Sequence, residues 1–107
     1  MNWRRDDFVS KFGLIEKTIQ SIRSVFKKYN DIEKVVIYGS RAKGNYRQGS
    51  DIDIVLFAAK LTTTDLLKIE NELDDHLLPY KIDLSLFHQI ENDSLKEHIL
   101  RVGVELQ

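Results

Sequence analysis

From Phe8 onward apolar residues recur as Phe8, Phe12, Ile15, Ile19, Ile22, Phe26 and Tyr29, in alternating steps of four and three. That spacing puts them on one stripe of an amphipathic helix, which Asn30-Asp31 ends and which should cover one face of a sheet. The period then changes. KVVIY, Lys34 to Tyr38, is a β-branched run suited to a buried strand, and DIDIVLF, residues 51–57, alternates polar and apolar positions as a second strand. Thr62-Thr63-Thr64-Asp65 offers N-caps to a helix carrying Leu66, Ile69, Leu73 and Leu77, which stops before Pro79. KIDLSLF, residues 81–87, repeats the strand alternation. Asn92 or Asp93 then caps a last helix with Leu95, Ile99, Val102 and Leu106 on one side and Gly103 weakening its end. The expected architecture is one α/β (α+β) domain over residues 1–107, in the order α-β-β-α-β-α, with a short mixed sheet and helices packed on one face. Trp3, Leu14 and Val25 fall off the main stripe and are candidates for a partner surface.

Strand alternation also sorts the charges. Ile52, Ile54 and Leu56 share the core face of the second strand, while Asp51 and Asp53 share the other, about 6–7 Å apart along the chain. In the third strand Ile82, Leu84 and Leu86 face the core and Asp83 lies opposite. If the two strands pair, three carboxylates converge. Left alone they repel and raise one another's pKa, whereas one or two divalent cations turn that repulsion into coordination. An oxygen-only donor set favours Mg²⁺ or Mn²⁺ over zinc. Two such ions roughly 3.5–4 Å apart stabilise both entering and leaving oxygens in phosphoryl or nucleotidyl displacement. The competing explanation is a solvated strand edge, which an isolated D-x-D usually is.

Gly39-Ser40 closes the first strand and runs into RAKG, the expected first turn of a short helix, which presents backbone N–H groups and a hydroxyl to an anion. Gly39 lets the backbone approach closely, Ser40 donates a hydrogen bond, and Arg41 and Lys43 add charge. The spacing matches neither a P-loop nor a dinucleotide-binding turn. Arg41 is the first candidate for a phosphate contact; Arg41, Lys43 and Arg47 are otherwise solvated loop charges. Tyr46 either stacks on a base or covers the neighbouring helix. His76, His88 and His98 lack ligand spacing and are read as surface or interface residues.

Composition narrows the classes. With 107 residues, 42% of them hydrophobic, the chain has room for one core and no second. Sixteen basic against 17 acidic residues leave a net charge of −1, so no bulk field favours a nucleic acid or a membrane surface. The absence of cysteine excludes disulfides, thiolate zinc sites and cysteine nucleophiles. MNWRRDDFVSKF carries acids where a signal peptide would be apolar, and no run approaches the roughly 18 residues of a membrane span, so a cytoplasmic location is expected.

Gly39-Ser40, ten residues, Asp51-Ile52-Asp53 and a later apolar strand bearing Asp83 resemble the signature of the nucleotidyltransferase superfamily that includes DNA polymerase beta. YGSRAKGNYRQGSDIDIVLF, the short length and the final ILRVGVEL are similar to its smallest branch, the minimal nucleotidyltransferase (MNT) proteins. The resemblance runs along nearly the whole chain and implies the polymerase beta-like fold. It implies Asp51 and Asp53 as metal ligands, Asp83 as ligand and activator of the attacking hydroxyl, and Gly39 and Ser40 as the triphosphate holder, with Arg41 at an often basic position. The implied reaction moves a nucleoside monophosphate, AMP from ATP, to a hydroxyl, using two Mg²⁺ or Mn²⁺ ions and releasing pyrophosphate. Larger members add a helical substrate domain, which a chain of this length leaves to another molecule. MNT proteins are commonly encoded beside a HEPN ribonuclease toxin, so the implied partner is a HEPN-type helical protein in a hetero-oligomer, with one of its tyrosines as acceptor and this chain as antitoxin. Two alternatives stand beside it: a non-catalytic antitoxin that neutralises by docking, and a small-molecule nucleotidyltransferase.

Overall fold

Val35, Val36 and Ile37 form a run with an apolar side chain at every position, so a strand built from them must be covered on both faces. In the computed structural model, which describes residues 12–47, 49–76 and 80–106, all three are buried. They lie in β1, Lys34–Tyr38. The order is α1 (Glu16–Phe26), β1, α2 (Gly39–Lys43), β2 (Ile52–Phe57), α3 (Thr63–Asp75), β3 (Ile82–Leu86), a single 3₁₀ turn at Phe87–Gln89, α4 (Asp93–Val102) and β4 (Val104–Glu105). The sheet runs β3-β2-β1-β4. β1 is antiparallel to β2 and β4, and β2 is parallel to β3, which gives the mixed sheet the sequence implied.

One face carries Val35, Ile37, Ile52, Ile54, Leu56, Leu84 and Leu86 against Ile19, Ile22 and Phe26 of α1 and Ile69 and Leu73 of α3. Thr62 and Asp65 close a capping box that fixes where α3 starts, and the Asn92 side chain accepts from the Leu95 N–H at the start of α4. At the far end of α1, Lys28 Nζ lies 2.9 Å from Glu72 Oε2 and the Tyr29 hydroxyl donates to Glu72 Oε1, tying α1 to α3. That bond, with some burial and the Glu72 charge, pushes the Tyr29 hydroxyl up to about 12.

The other face is not left to polar groups. Val36, Tyr38 and Val55 pack with Ile99 of α4, flanked by Phe57, Phe87, Ile90 and Leu95. The helical layer expected on one face is made by α1 and α3; α4 adds cover to the second, because β1 is apolar on both sides.

Four local expectations change. α1 begins at Glu16 instead of Phe8: Phe12 (φ 60°) and Gly13 (φ 71°) sit in left-handed backbone, which no helix continues through. Behind that turn Leu14 enters the core, and Val25, three residues beyond Ile22, widens the buried stripe, so neither offers a partner surface. Ile15, expected on that stripe, instead caps α1 and is 45% exposed. Trp3, Phe8 and Leu77 lie outside the described residues. The last helix also stops early. Gly103 is extended, Val104 and Glu105 pair with Ile37 and Val36, and the Leu106 N–H donates to the Val35 carbonyl at 2.7 Å, so Leu106 reaches the core from a strand. The free edge of β1 supplies the hydrogen bonds that make this strand worth forming.

Gly103 turns this corner in close contact. A Cβ there would meet Val36 Cγ1 at 2.5 Å and the Ile99 carbonyl oxygen of α4's last turn. Gly103→Ala should lower stability by about 1–3 kcal/mol, measured as a shift of the urea midpoint with little change in slope. An unchanged midpoint would show that the α4–β4 corner yields easily.

Candidate active site

The register places Tyr38 beside Asp53 and Asp53 beside Asp83, so one row of three side chains crosses β1, β2 and β3 on the face that α4 flanks. Neighbouring strands are about 4.8 Å apart, which brings the Asp53 and Asp83 carboxylates within strong mutual repulsion. Asp51 stands just before β2 and is exposed, as is Asp83, while Asp53 is half-buried. Burial first, then the negative charges of Asp83 and Asp51, hold the Asp53 carboxyl above the usual carboxylate range; the charge of His98 pulls the other way. Among the described residues no three His, Asp or Glu side chains already form a closed metal cage. The donor set nevertheless fits a hard cation: all-oxygen ligands on one sheet end, with an excess of negative charge that a cation would neutralise.

Gly39 turns the chain from β1 into α2 with φ 72°, and Asp53 Oδ2 occupies the space a Cβ would take. Both features require glycine, one for its backbone and one for the approach of the carboxylate. Ser40 follows at once, half-buried, on the turn next to Asp53. The structure therefore brings Gly39 and Asp53 into contact and sets Ser40, Asp51 and Asp83 around them.

Arg41 does not join them. It is 3% exposed; Nη1 donates to the Phe12 carbonyl at 2.8 Å, and Nε and Nη2 donate to the Ser50 carbonyl at 3.2 and 2.9 Å. Its guanidinium lies 5.3 Å from the Tyr46 ring centre and 5.1 Å from that of Tyr80. Successive side chains on a helical turn diverge by about 100°, so Arg41 points away from Ser40, toward Phe12 and Tyr80, which pack on the main core. Arg41, expected to contact phosphate, thus commits three of its five guanidinium N–H groups to backbone carbonyls, and Tyr46 covers the neighbouring helix as Arg41's partner. Lys43 and Arg47 are solvated.

His76 and His88 are exposed, as expected. His98 is not merely a surface residue: its ring meets Tyr38 edge-on, 6.2 Å between centres, and its charge reaches Asp53. Tyr38 is buried beside Ser85; burial chiefly, then Asp53 and Asp83, push its hydroxyl up, and the Ser85 contact partly offsets them. Tyr38, Ser85 and His98 are site residues the sequence reading missed. His98 follows Leu95 by three positions and precedes Ile99, so it borders the apolar stripe of α4, a signal that gains meaning only once α4 is placed against the carboxylate face.

A four-stranded mixed sheet with a glycine-serine turn after one strand and carboxylates on the next two defines a nucleotidyltransferase of the polymerase beta class. The profile described as "Polymerase beta, Nucleotidyltransferase" matches residues 20–107, and the chain belongs to that family. Two proteins of Methanocaldococcus jannaschii, named "Putative protein adenylyltransferase MJ1217" and "Putative protein adenylyltransferase MJ0126", are 32% and 30% identical to it over 91 residues, 78% of this chain and 92% of theirs. Among solved structures, a toxin–antitoxin complex with AMP-PNP superposes with a TM-score of 0.70 at 21% identity, over 83% of this chain and 72% of that one. A complex of tri-AMPylated Shewanella oneidensis HEPN toxin with MNT antitoxin gives 0.66 at 18% identity, over 86% and 71%. A structure described as "putative minimal nucleotidyltransferase" gives 0.67 at 21%, over 88% and 94%. The fold is therefore shared with MNT antitoxins.

The raised pKa of Asp53 has a sign. The folded protein holds this proton more tightly than the unfolded chain, so the contribution of Asp53 to stability is full at low pH and is lost as pH rises through the raised pKa. Asp53→Asn should raise the melting temperature of chelator-treated protein near neutral pH, and the gain should shrink as pH falls through the carboxylate range. A variant less stable than wild type near neutrality would show that the ionised carboxylate is favourably paired.

Proposed function

We propose that the chain is a protein adenylyltransferase that transfers AMP from ATP to a tyrosine of a HEPN-type helical partner, and so acts as its antitoxin, in the cytoplasm. The observation that carries this reading is the Asp53–Asp83 register with Gly39 packed under Asp53, which sets the carboxylates beside the Gly39-Ser40 turn. Family membership, the adenylyltransferase relatives and the fold shared with antitoxins seen in complexes agree with it.

In this reading Asp51, Asp53 and Asp83 hold two Mg²⁺ or Mn²⁺ ions, which when bound neutralise charge on the triphosphate and on the entering oxygen. Gly39 leaves room for the phosphates against the backbone, and Ser40 donates to a phosphate oxygen. Asp83 receives the proton of the acceptor hydroxyl. The acceptor oxygen bonds to the α-phosphorus, the α–β bridging P–O bond breaks, and pyrophosphate leaves with that electron pair. Tyr38 and His98 wall the row on the α4 side. In this reading the partner supplies the acceptor and with it acceptor choice.

Intact mass spectrometry of the partner, incubated with this chain, ATP and Mg²⁺, should show added AMP units that disappear with Asp53→Asn. Asp53 is the position to change because its carboxylate packs on Gly39 and stands beside Asp83. A stable, inhibited complex without added mass would make the chain a docking antitoxin. Added mass on a small hydroxyl compound instead would make it a small-molecule enzyme.

A further inference from the structure

Asp51 lies outside β2, so no ladder fixes it on its N-terminal side. The peptide that leads into it is fixed another way. The Ser50 carbonyl shares a rigid plane with the Asp51 N–H, and it accepts two hydrogen bonds from one guanidinium, from Arg41 Nε and Nη2 at 3.2 and 2.9 Å. On the other side of Asp51, the Ile52 N–H donates to the Lys81 carbonyl at 2.9 Å. Asp51 is thus held between two anchored peptides, and Arg41 supplies the first anchor. The loop before it closes on itself, with Ser50 N–H on the Arg47 carbonyl at 3.0 Å and Arg47 N–H on Ser50 Oγ at 2.8 Å, so the guanidinium grips an already folded turn.

Arg41 makes further contacts beyond Ser50. Nη1 binds the Phe12 carbonyl at the left-handed Phe12-Gly13 turn, and the Tyr46 and Tyr80 rings lie against the guanidinium. Tyr80 precedes β3, the strand of Asp83. One buried cation therefore joins the entry to Asp51, the start of β3 and the segment before α1. Its charge is not spent on a phosphate.

We propose that Arg41 is a positioning residue for Asp51: it sets the metal-binding carboxylate through the Ser50 carbonyl and makes no contact with nucleotide. The inference rests on the metal-dependent reading of the site. Lysine keeps the charge but lacks the planar fork that serves two carbonyls while lying against two rings.

Mn²⁺ binding, followed by the loss of the free-ion electron paramagnetic resonance signal, tests this without turnover. Arg41→Lys should weaken Mn²⁺ binding by about 10–100-fold, the range for residues that orient a metal ligand, while KM for ATP at saturating metal stays at the wild-type value. Tyr80→Leu, which leaves every Arg41 hydrogen bond in place, should show the same split to a smaller degree and carries the test if Arg41→Lys does not fold. Unchanged Mn²⁺ affinity with a raised KM for ATP would overturn the inference in favour of a phosphate contact. A lower melting temperature with neither constant moved would overturn it in favour of a purely structural role. Wild-type protein that takes up no Mn²⁺ would instead overturn the metal-dependent reading itself, and the inference with it.

Discussion

A half-buried carboxylate at the end of an apolar strand is the constraint on which the functional end of this molecule depends. Asp53 is raised in pKa by burial and by two like charges, and a pair of carboxylates a few Å apart repels by about 1–4 kcal/mol between aqueous and protein-surface dielectrics. The same strand buries Ile52, Ile54, Val55 and Leu56 completely, each worth about 1.5–3 kcal/mol. The apolar residues win, and β2 keeps its register with the carboxylates held in place. Charge is tolerated here because the strand that carries it is anchored by its other residues, which is how a rigid element can present a repulsive cluster ready for a cation.

The second consequence of that arrangement concerns the face Asp53 shares. Its carboxylates gather at one end. Behind them come Val36 and Val55, and then Phe57 stacked on Phe87 at 4.4 Å with the Lys34 ammonium 4.5 Å from the Phe57 ring centre. An apolar surface directly behind the carboxylates needs cover, and α4 supplies it through Ile99 and Leu95. The helix that completes the core therefore also forms a wall of the site and brings His98 to Tyr38. Gly103 then returns the chain to the edge of β1, where β4 satisfies backbone groups that would otherwise stay open.

How much of this was legible in the sequence follows from which forces are local. Strand alternation is local, and it put Asp51, Asp53 and Asp83 on one face before any pairing was known; the parallel β2–β3 register then made neighbours of Asp53 and Asp83. Capping is local too, and Thr62 with Asp65 began α3 where the sequence placed it. The failures are all non-local. Leu14 is buried because a left-handed turn at Phe12-Gly13 redirects the chain, an event that helical periodicity does not register. Leu106 has the right spacing for the last helix, yet the free edge of β1 recruits it into a strand. Arg41 sits in a motif that invites a phosphate, and only the positions of Phe12, Ser50, Tyr46 and Tyr80 show that the guanidinium is buried with three of its donors on backbone carbonyls.

The fate of Arg41 bears on how the site divides its labour. With that guanidinium buried, His98 is a basic side chain whose charge reaches Asp53, Lys34 sits farther along the same face over Phe57, and the exposed Lys43 lies on the far end of a five-residue helix. Under the proposed adenylyltransferase reading, charge neutralisation at the row would fall to bound cations more than to the protein's own bases. Asp51 and Asp83 also remain open to solvent on the side facing away from the core. A small acceptor would find little there to orient it, since orientation needs convergent contacts on several sides. A protein acceptor brings its own surface, so under the proposed reading the exposure of Asp51 and Asp83 suits a hydroxyl delivered by a docked partner.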